Sequence, residues 1–141
     1  MPTANTIHKG LRFAGYASIF DRLDKGGDIV RRGAFSRSLT RSARVPLLWQ
    51  HQPQRVIGSI DHLKEDERGL QVIASLRDDE LGARLMRELV DGRLSGLSFG
   101  YRVASARRNN GRREIDDLDL LEVSLVRHPM QPLARVHKLA A

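Results

Sequence analysis

Apolar positions recur at short, strand-like intervals through most of this chain and at a helical interval in two places. Leu11-Arg12-Phe13-Ala14-Gly15-Tyr16-Ala17-Ser18-Ile19-Phe20 alternates loosely and is rich in aromatic and apolar side chains, which predicts a strand. Asp21 to Asp28, with Gly26-Gly27, reads as a polar loop. Arg32 to Arg44 fits a short helix, with Phe35 and Leu39 four apart on one face. Val45-Pro46-Leu47-Leu48-Trp49 predicts a second strand, and Pro46 puts its start near a sheet edge. Arg55 to Ile60 and Leu70 to Leu76 read as paired strands around a charged turn from Lys64 to Gly69.

The clearest helix runs from about Asp79 to Val90. Leu81, Leu85 and Leu89 form its stripe, Arg84 and Glu88 an i,i+4 pair, Asp78 or Asp79 a cap, and Gly92 a stop. Strands follow at Leu97–Val103 and Leu118–Val126, with hairpin-turn chemistry between them in Asn110-Gly111. The segment after Pro129 shows weak order signals. Many short strands with two helices predict an α+β, mainly β domain: a barrel-like antiparallel β core flanked by helices.

Composition narrows the chemistry more than the fold. At 141 residues the chain is expected to be a single domain over 1–141, with a core at about 11–130 and mobile tails. Cysteine is absent, which removes thiol catalysis, thiolate metal sites and disulfides. No apolar stretch approaches the roughly 20 residues of a membrane span, and Met1 to Thr6 carry no signal-peptide core. A soluble, intracellular protein without a membrane partner is expected. The formal charge of +7, with a pI near 10.7, favours acidic partners or non-specific contact with nucleic acid. Seven aromatics (four Phe, two Tyr, one Trp), none interleaved with the basic clusters, argue against a stacking-type single-strand binder. The arginine runs at 31–32, 41–44, 107–108 and 112–113 read most simply as solvated charge.

Three islands hold the candidate chemistry: Leu48-Trp49-Gln50-His51, Gly96-Leu97-Ser98-Phe99-Gly100-Tyr101 and Leu121-Glu122-Val123-Ser124-Leu125-Val126. They contain a hydroxyl, an imidazole and a carboxylate, the groups acyl transfer needs. Strand parity puts Ser98, Gly100 and Arg102 on one face, opposite Leu97, Phe99 and Tyr101. By the same rule Glu122 and Ser124 lie opposite Leu121, Val123 and Leu125, so both reactive groups are expected on polar faces. Any half-exposed strand shows the same pattern, and a lone histidine at a strand end is most often structural. Gly-Leu-Ser-Phe-Gly is not a nucleophile elbow, because the apolar alternation runs on past Ser98 where that motif needs a turn and a helix. Its glycines leave room for a substrate backbone to approach the hydroxyl. His128 competes for the third position, while His8, His62 and His137 lie in tails or a charged turn. No histidine pair has tight ligand spacing, so no metal and no cofactor is expected.

In their order and spacing these islands resemble the prohead (procapsid) maturation proteases of tailed bacteriophages and gene transfer agents, distantly similar to the herpesvirus maturation protease. The resemblance extends from about Phe13 to Pro129. It includes Gly15-Tyr16-Ala17-Ser18-Ile19-Phe20, Gly27-Asp28-Ile29-Val30, Gly33-Ala34-Phe35, Gly58-Ser59-Ile60 and Arg68-Gly69-Leu70. It implies a serine endopeptidase with Ser98 as nucleophile, His51 as general base and Glu122 as third member. The herpesvirus relatives use a second histidine there, which keeps His128 as the alternative. The implied substrate is the scaffolding segment of the major capsid protein, cut inside the assembling procapsid in the bacterial host cytoplasm, with self-cleavage near the termini. Relatives that dimerise leave a homodimer open. With the chain ending soon after the core, any scaffolding function is expected from another protein or a capsid-protein segment. The competing reading is a non-catalytic basic β-barrel module for capsid assembly or nucleic-acid binding.

Overall fold

The computed structural model describes residues 11–41 and 44–140. In chain order these form β1 (Arg12–Ile19), β2 (Asp28–Val30), α1 (Ser36–Leu39), β3 (Leu47–Trp49), β4 (Gln52–Glu65), β5 (Gly69–Leu76), α2 (Glu80–Asp91), β6 (Gly96–Asn109), β7 (Arg112–Val126) and β8 (Val136–Ala140). The long strand β7 organises the sheet. One of its edges pairs antiparallel with β6 from Arg112 to Val126. The other edge is shared by β2, parallel along Arg113–Ile115, and β3, parallel along Val123–Leu125. From β3 the order continues through β4, β5 and β1 to β8, each pair antiparallel.

The mainly β core with flanking helices is as expected, with two refinements. The ladder is mixed, because β2 and β3 reach β7 through long crossovers instead of hairpins and therefore run parallel to it. The sheet also stops short of a closed barrel. Among the described residues, only an isolated bridge, Gly96 to Arg135, spans the gap between β6 and the chain entering β8. Its two bonds run from the Leu97 N–H to the Ala134 carbonyl (2.9 Å) and from the Val136 N–H to the Ser95 carbonyl (2.8 Å). Gly15 permits this approach, since a Cβ there would fall 2.3 Å from the Arg135 carbonyl oxygen.

Local signals explain most elements. Asn110 and Gly111 both take positive φ (54° and 77°), the conformation a two-residue hairpin turn requires. Asp79 caps α2 by accepting the Gly82 N–H (3.1 Å), and Gly92 ends it at φ 77°. Leu85, Met86 and Leu89 of α2 join the buried cluster formed by Phe13, Phe35, Leu47, Ile57, Leu76, Leu97 and Leu125.

Several sequence expectations are corrected. The helix expected over Arg32–Arg44 is one turn, α1, and Ser42 and Ala43 lie outside the described residues. Glu65 fastens its start by accepting the Gly33 and Phe35 N–H groups, and the Thr40 hydroxyl turns back onto the Arg37 carbonyl at its end. β3 is not near an edge, for it pairs on both sides. Glu88 bonds Arg127 (2.8 Å) in place of Arg84. The segment after Pro129, expected to be loose, forms β8 on the free edge of β1. The N-terminal tail lies outside the described residues.

Several arginines pair with the protein's own carboxylates. Arg31 pairs with Asp21 and Glu114, Arg37 with Asp117 and Asp119, and Arg107 with Asp116, fastening the β2–α1 segment and the hairpin to β7. Asp28 is another buried carboxylate in this network. It accepts two bonds from Arg113 (2.9 Å each) and one from the Tyr101 hydroxyl (2.9 Å). The Arg113 guanidinium holds its carboxyl below the ordinary carboxylate range. Burial and the same carboxylate push Tyr101 up to about 12. Because the folded pKa of Asp28 lies below its unfolded value of about 4, its stabilisation is complete above that value. It is lost as pH falls through the lower, folded value. Arg113→Met is therefore expected to cost about 1.5–3 kcal/mol in urea unfolding at pH 7. The gap from wild type should shrink when the measurement is repeated at pH 3.

Candidate active site

The register of β6 on β7 sets Ser98 opposite Ser124 and Gly100 opposite Glu122, so all four face the same way. Beyond Gly100 the register shifts. Tyr101 pairs with Leu120, leaving Leu121 as an extra, exposed residue in a β-bulge, a device that re-aims side chains. The sequence reading expected a polar, water-facing surface here. The face is instead covered: Ser98 is 7% exposed, Glu122 8% and Ser124 0%. The room beside Ser98 expected for substrate is also taken. A Cβ on Gly100 would lie 2.6 Å from Glu122 Oε1, and one on Gly96 would lie 2.5 Å from the Val126 carbonyl oxygen. The glycines admit the protein's own groups, and Gly100 lets the Glu122 side chain lie across β6.

His51 arrives from the two-residue turn between β3 and β4. Gln50 and His51 both take positive φ (51° and 61°), which non-glycine residues adopt only at a cost. The end of β7 clamps this turn through three bonds. The Gln50 N–H donates to the Leu125 carbonyl (3.0 Å), the His51 N–H to Ser124 Oγ (3.1 Å), and the Arg127 N–H to Gln50 Oε1 (2.7 Å). The Arg127 guanidinium packs over the Trp49 ring, 5.2 Å from its centroid. So held, His51 Nδ1 hydrogen-bonds Glu122 Oε1. The Ser124 hydroxyl donates to the other oxygen, Oε2. Both oxygens of a buried carboxylate are thereby satisfied.

Ser98 and His51 line one small cavity of about 130 Å³. Among the described residues the Ser98 hydroxyl has no hydrogen-bond partner, His51 included. Ser124 is fully buried and absent from the lining. A wider groove of about 560 Å³ between α1 and β4 contains none of Ser98, His51 and Glu122. The structure thus gathers all three sequence candidates, and the imidazole's partner is Glu122, with His128 exposed. His62 lies on β4, and His137 packs edge-on against Tyr16. Sequence reasoning missed Ser124 as a support of the carboxylate. Its spacing of two from Glu122 placed both on one face, but nothing in the sequence tied it to His51.

Over residues 3–141 the chain matches the family model described as caudovirus prohead serine protease. It belongs to that family. The prohead protease of Enterobacteria phage HK97 is 38% identical over 95 residues, covering 65% of this chain and 42% of that protein. The chain thus spans about two-fifths of the length of this curated relative. Among solved structures, the capsid assembly protease gp21 of bacteriophage T4 superposes with a TM-score of 0.64 at 16% identity, covering 85% of this chain and 84% of that one. The KSHV protease, solved with a hexapeptide phosphonate inhibitor, superposes with a TM-score of 0.60 at 17% identity, over 83% and 59%. At these identities the two structures establish the shared fold.

The Gly100 contact makes a direct prediction for this family member. Gly100→Ala pushes the Glu122 side chain off β6 while leaving the backbone pairing in place. In wild type a downfield Nδ1–H proton resonance from His51 is expected, as for an imidazole donating to a carboxylate. It should vanish in both Gly100→Ala and Glu122→Gln. Overpacking in Gly100→Ala is expected to cost about 1–3 kcal/mol, measured by urea unfolding.

Proposed function

We propose that this chain is a serine endopeptidase acting on the scaffolding segment of a major capsid protein inside the assembling procapsid. The observation that supports this most is the meeting of a free Ser98 hydroxyl and His51 on one cavity, with His51 Nδ1 held by a buried carboxylate. In this reading Ser98 Oγ attacks the peptide carbonyl and His51 Nε2 takes the proton. Glu122 fixes the tautomer and stabilises the imidazolium, and His51 then passes the proton to the leaving amine. Water activated by His51 hydrolyses the acyl-enzyme. Ser124 serves as a positioning residue, holding both the carboxylate and the turn that bears the histidine.

The developing oxyanion needs donors. The Arg127 N–H is committed to Gln50. Gln131 is better disposed. It is buried on the cavity wall, and its Oε1 accepts the Leu133 N–H (3.1 Å), leaving its amide NH2 as a donor. The family match favours the catalytic reading over a non-catalytic basic module, and so does the pairing of Arg31, Arg37, Arg107 and Arg113 with the protein's own carboxylates.

Co-expression with the cognate capsid protein tests the proposal. Ser98→Ala and His51→Ala are expected to abolish capsid processing. Ser124→Ala should retain a slowed activity, and Gln131→Leu should lose on the order of 100-fold, as for removal of an oxyanion donor. Processing that persists in Ser98→Ala would exclude Ser98 as nucleophile.

A further inference from the structure

The cavity beside Ser98 has a chemistry of its own. Ala17, Ile19, Val30 and Phe99 give it apolar wall. The loop between β1 and β2 and the loop between β7 and β8 meet over it, joined by the Lys25 N–H donating to the Met130 carbonyl (2.9 Å). At about 130 Å³ it is close to the roughly 150 Å³ that holds one benzene-sized group, so it seats a single side chain.

Two carboxylates line this cavity, and they differ. Both oxygens of Asp28 are occupied by Arg113 and Tyr101. Asp24 Oδ1 accepts the Gly26 and Asp28 N–H groups (2.8 and 2.9 Å), which shapes the loop, but Oδ2 has no partner among the described residues. Burial outweighs those two bonds and pushes the Asp24 carboxyl up, as for an anion lacking a bonded cation. Tyr101, whose hydroxyl donates to Asp28, lines the same cavity three residues beyond Ser98, about 10 Å along the strand. That span suits a long side chain entering beside the nucleophile. Arg22, the cation on the lining, is exposed.

We infer that this cavity receives the substrate side chain on the acyl side of the scissile bond and selects a long, unbranched, cationic one, lysine above all, with Asp24 Oδ2 as its acceptor. The inference rests on Ser98 being the nucleophile. Peptidyl diphenyl phosphonates that differ only in the residue bearing phosphorus test it on the full chain. Ser98 Oγ attacks phosphorus, an O–P bond forms, and phenoxide leaves, taking the proton from His51 as phenol. Labelling is then read by mass spectrometry.

The lysine-type probe is expected to label about tenfold faster than its norleucine and glutamate counterparts, the scale of one charged hydrogen bond. Asp24→Asn keeps the Oδ1 acceptor for the loop, and it should bring the lysine-to-norleucine ratio toward parity without lowering Tm substantially. Equal wild-type rates, or a fastest glutamate probe drawn by Arg22, would overturn this inference and leave the Ser98 assignment standing. An unchanged ratio in a folded Asp24→Asn would do the same. Absence of labelling by every probe, or undiminished labelling of Ser98→Ala, would overturn the Ser98 assignment and this inference together.

Discussion

Three residues of parallel pairing, Leu47–Trp49 against Val123–Leu125, carry the candidate site. They bring the β3–β4 turn to the end of β7, where a main-chain carbonyl, a serine hydroxyl and an arginine N–H fasten it. Left-handed backbone costs about 1–2 kcal/mol for each non-glycine residue, so two such residues in succession persist only under that clamp. The strain is local and the clamp is tertiary. His51 is therefore positioned by β7, the strand that also carries Glu122.

Burial gives the arrangement its force. A carboxylate removed from water is costly unless its oxygens are bonded, and Glu122 finds two partners, His51 Nδ1 and the Ser124 hydroxyl. Glu122 is shielded while the His51 side chain stays 44% exposed, so the pair orients the imidazole from its buried side. Gly100 makes the burial possible because the carboxylate crosses β6 where any Cβ would collide with it. The bulge at Leu121 sets Glu122 opposite Gly100 while the longer hairpin keeps pairing beyond it.

Part of the arginine content is structural. Acidic residues of β7, from Glu114 to Asp119, take up Arg31, Arg37 and Arg107, so these arginines tie the segment around β2 and α1 and the hairpin strand β6 to β7. The family match and the cavity at Ser98 say more about function than the pI does.

The α2 helix, with its Asp79 cap and Gly92 stop, the Asn110-Gly111 turn and most strands were legible in the residues, because capping, turn chemistry and alternation are local. The Ser98, His51 and Glu122 candidates were legible through the family resemblance, while parity alone could say only that Ser98 and Glu122 point away from apolar faces. The burial of that face, the partner of Glu88, the strand after Pro129 and the contacts of Ser124 and Gly100 with Glu122 were not legible. Each depends on which strand lies beside which, and period-two alternation fixes a side chain's face without naming its neighbour. The amino-acid sequence determined most of the elements and the candidate groups. The crossover that lays β3 on β7 decided that the imidazole would meet the carboxylate, since main-chain pairing between distant segments is selected by packing of the whole sheet.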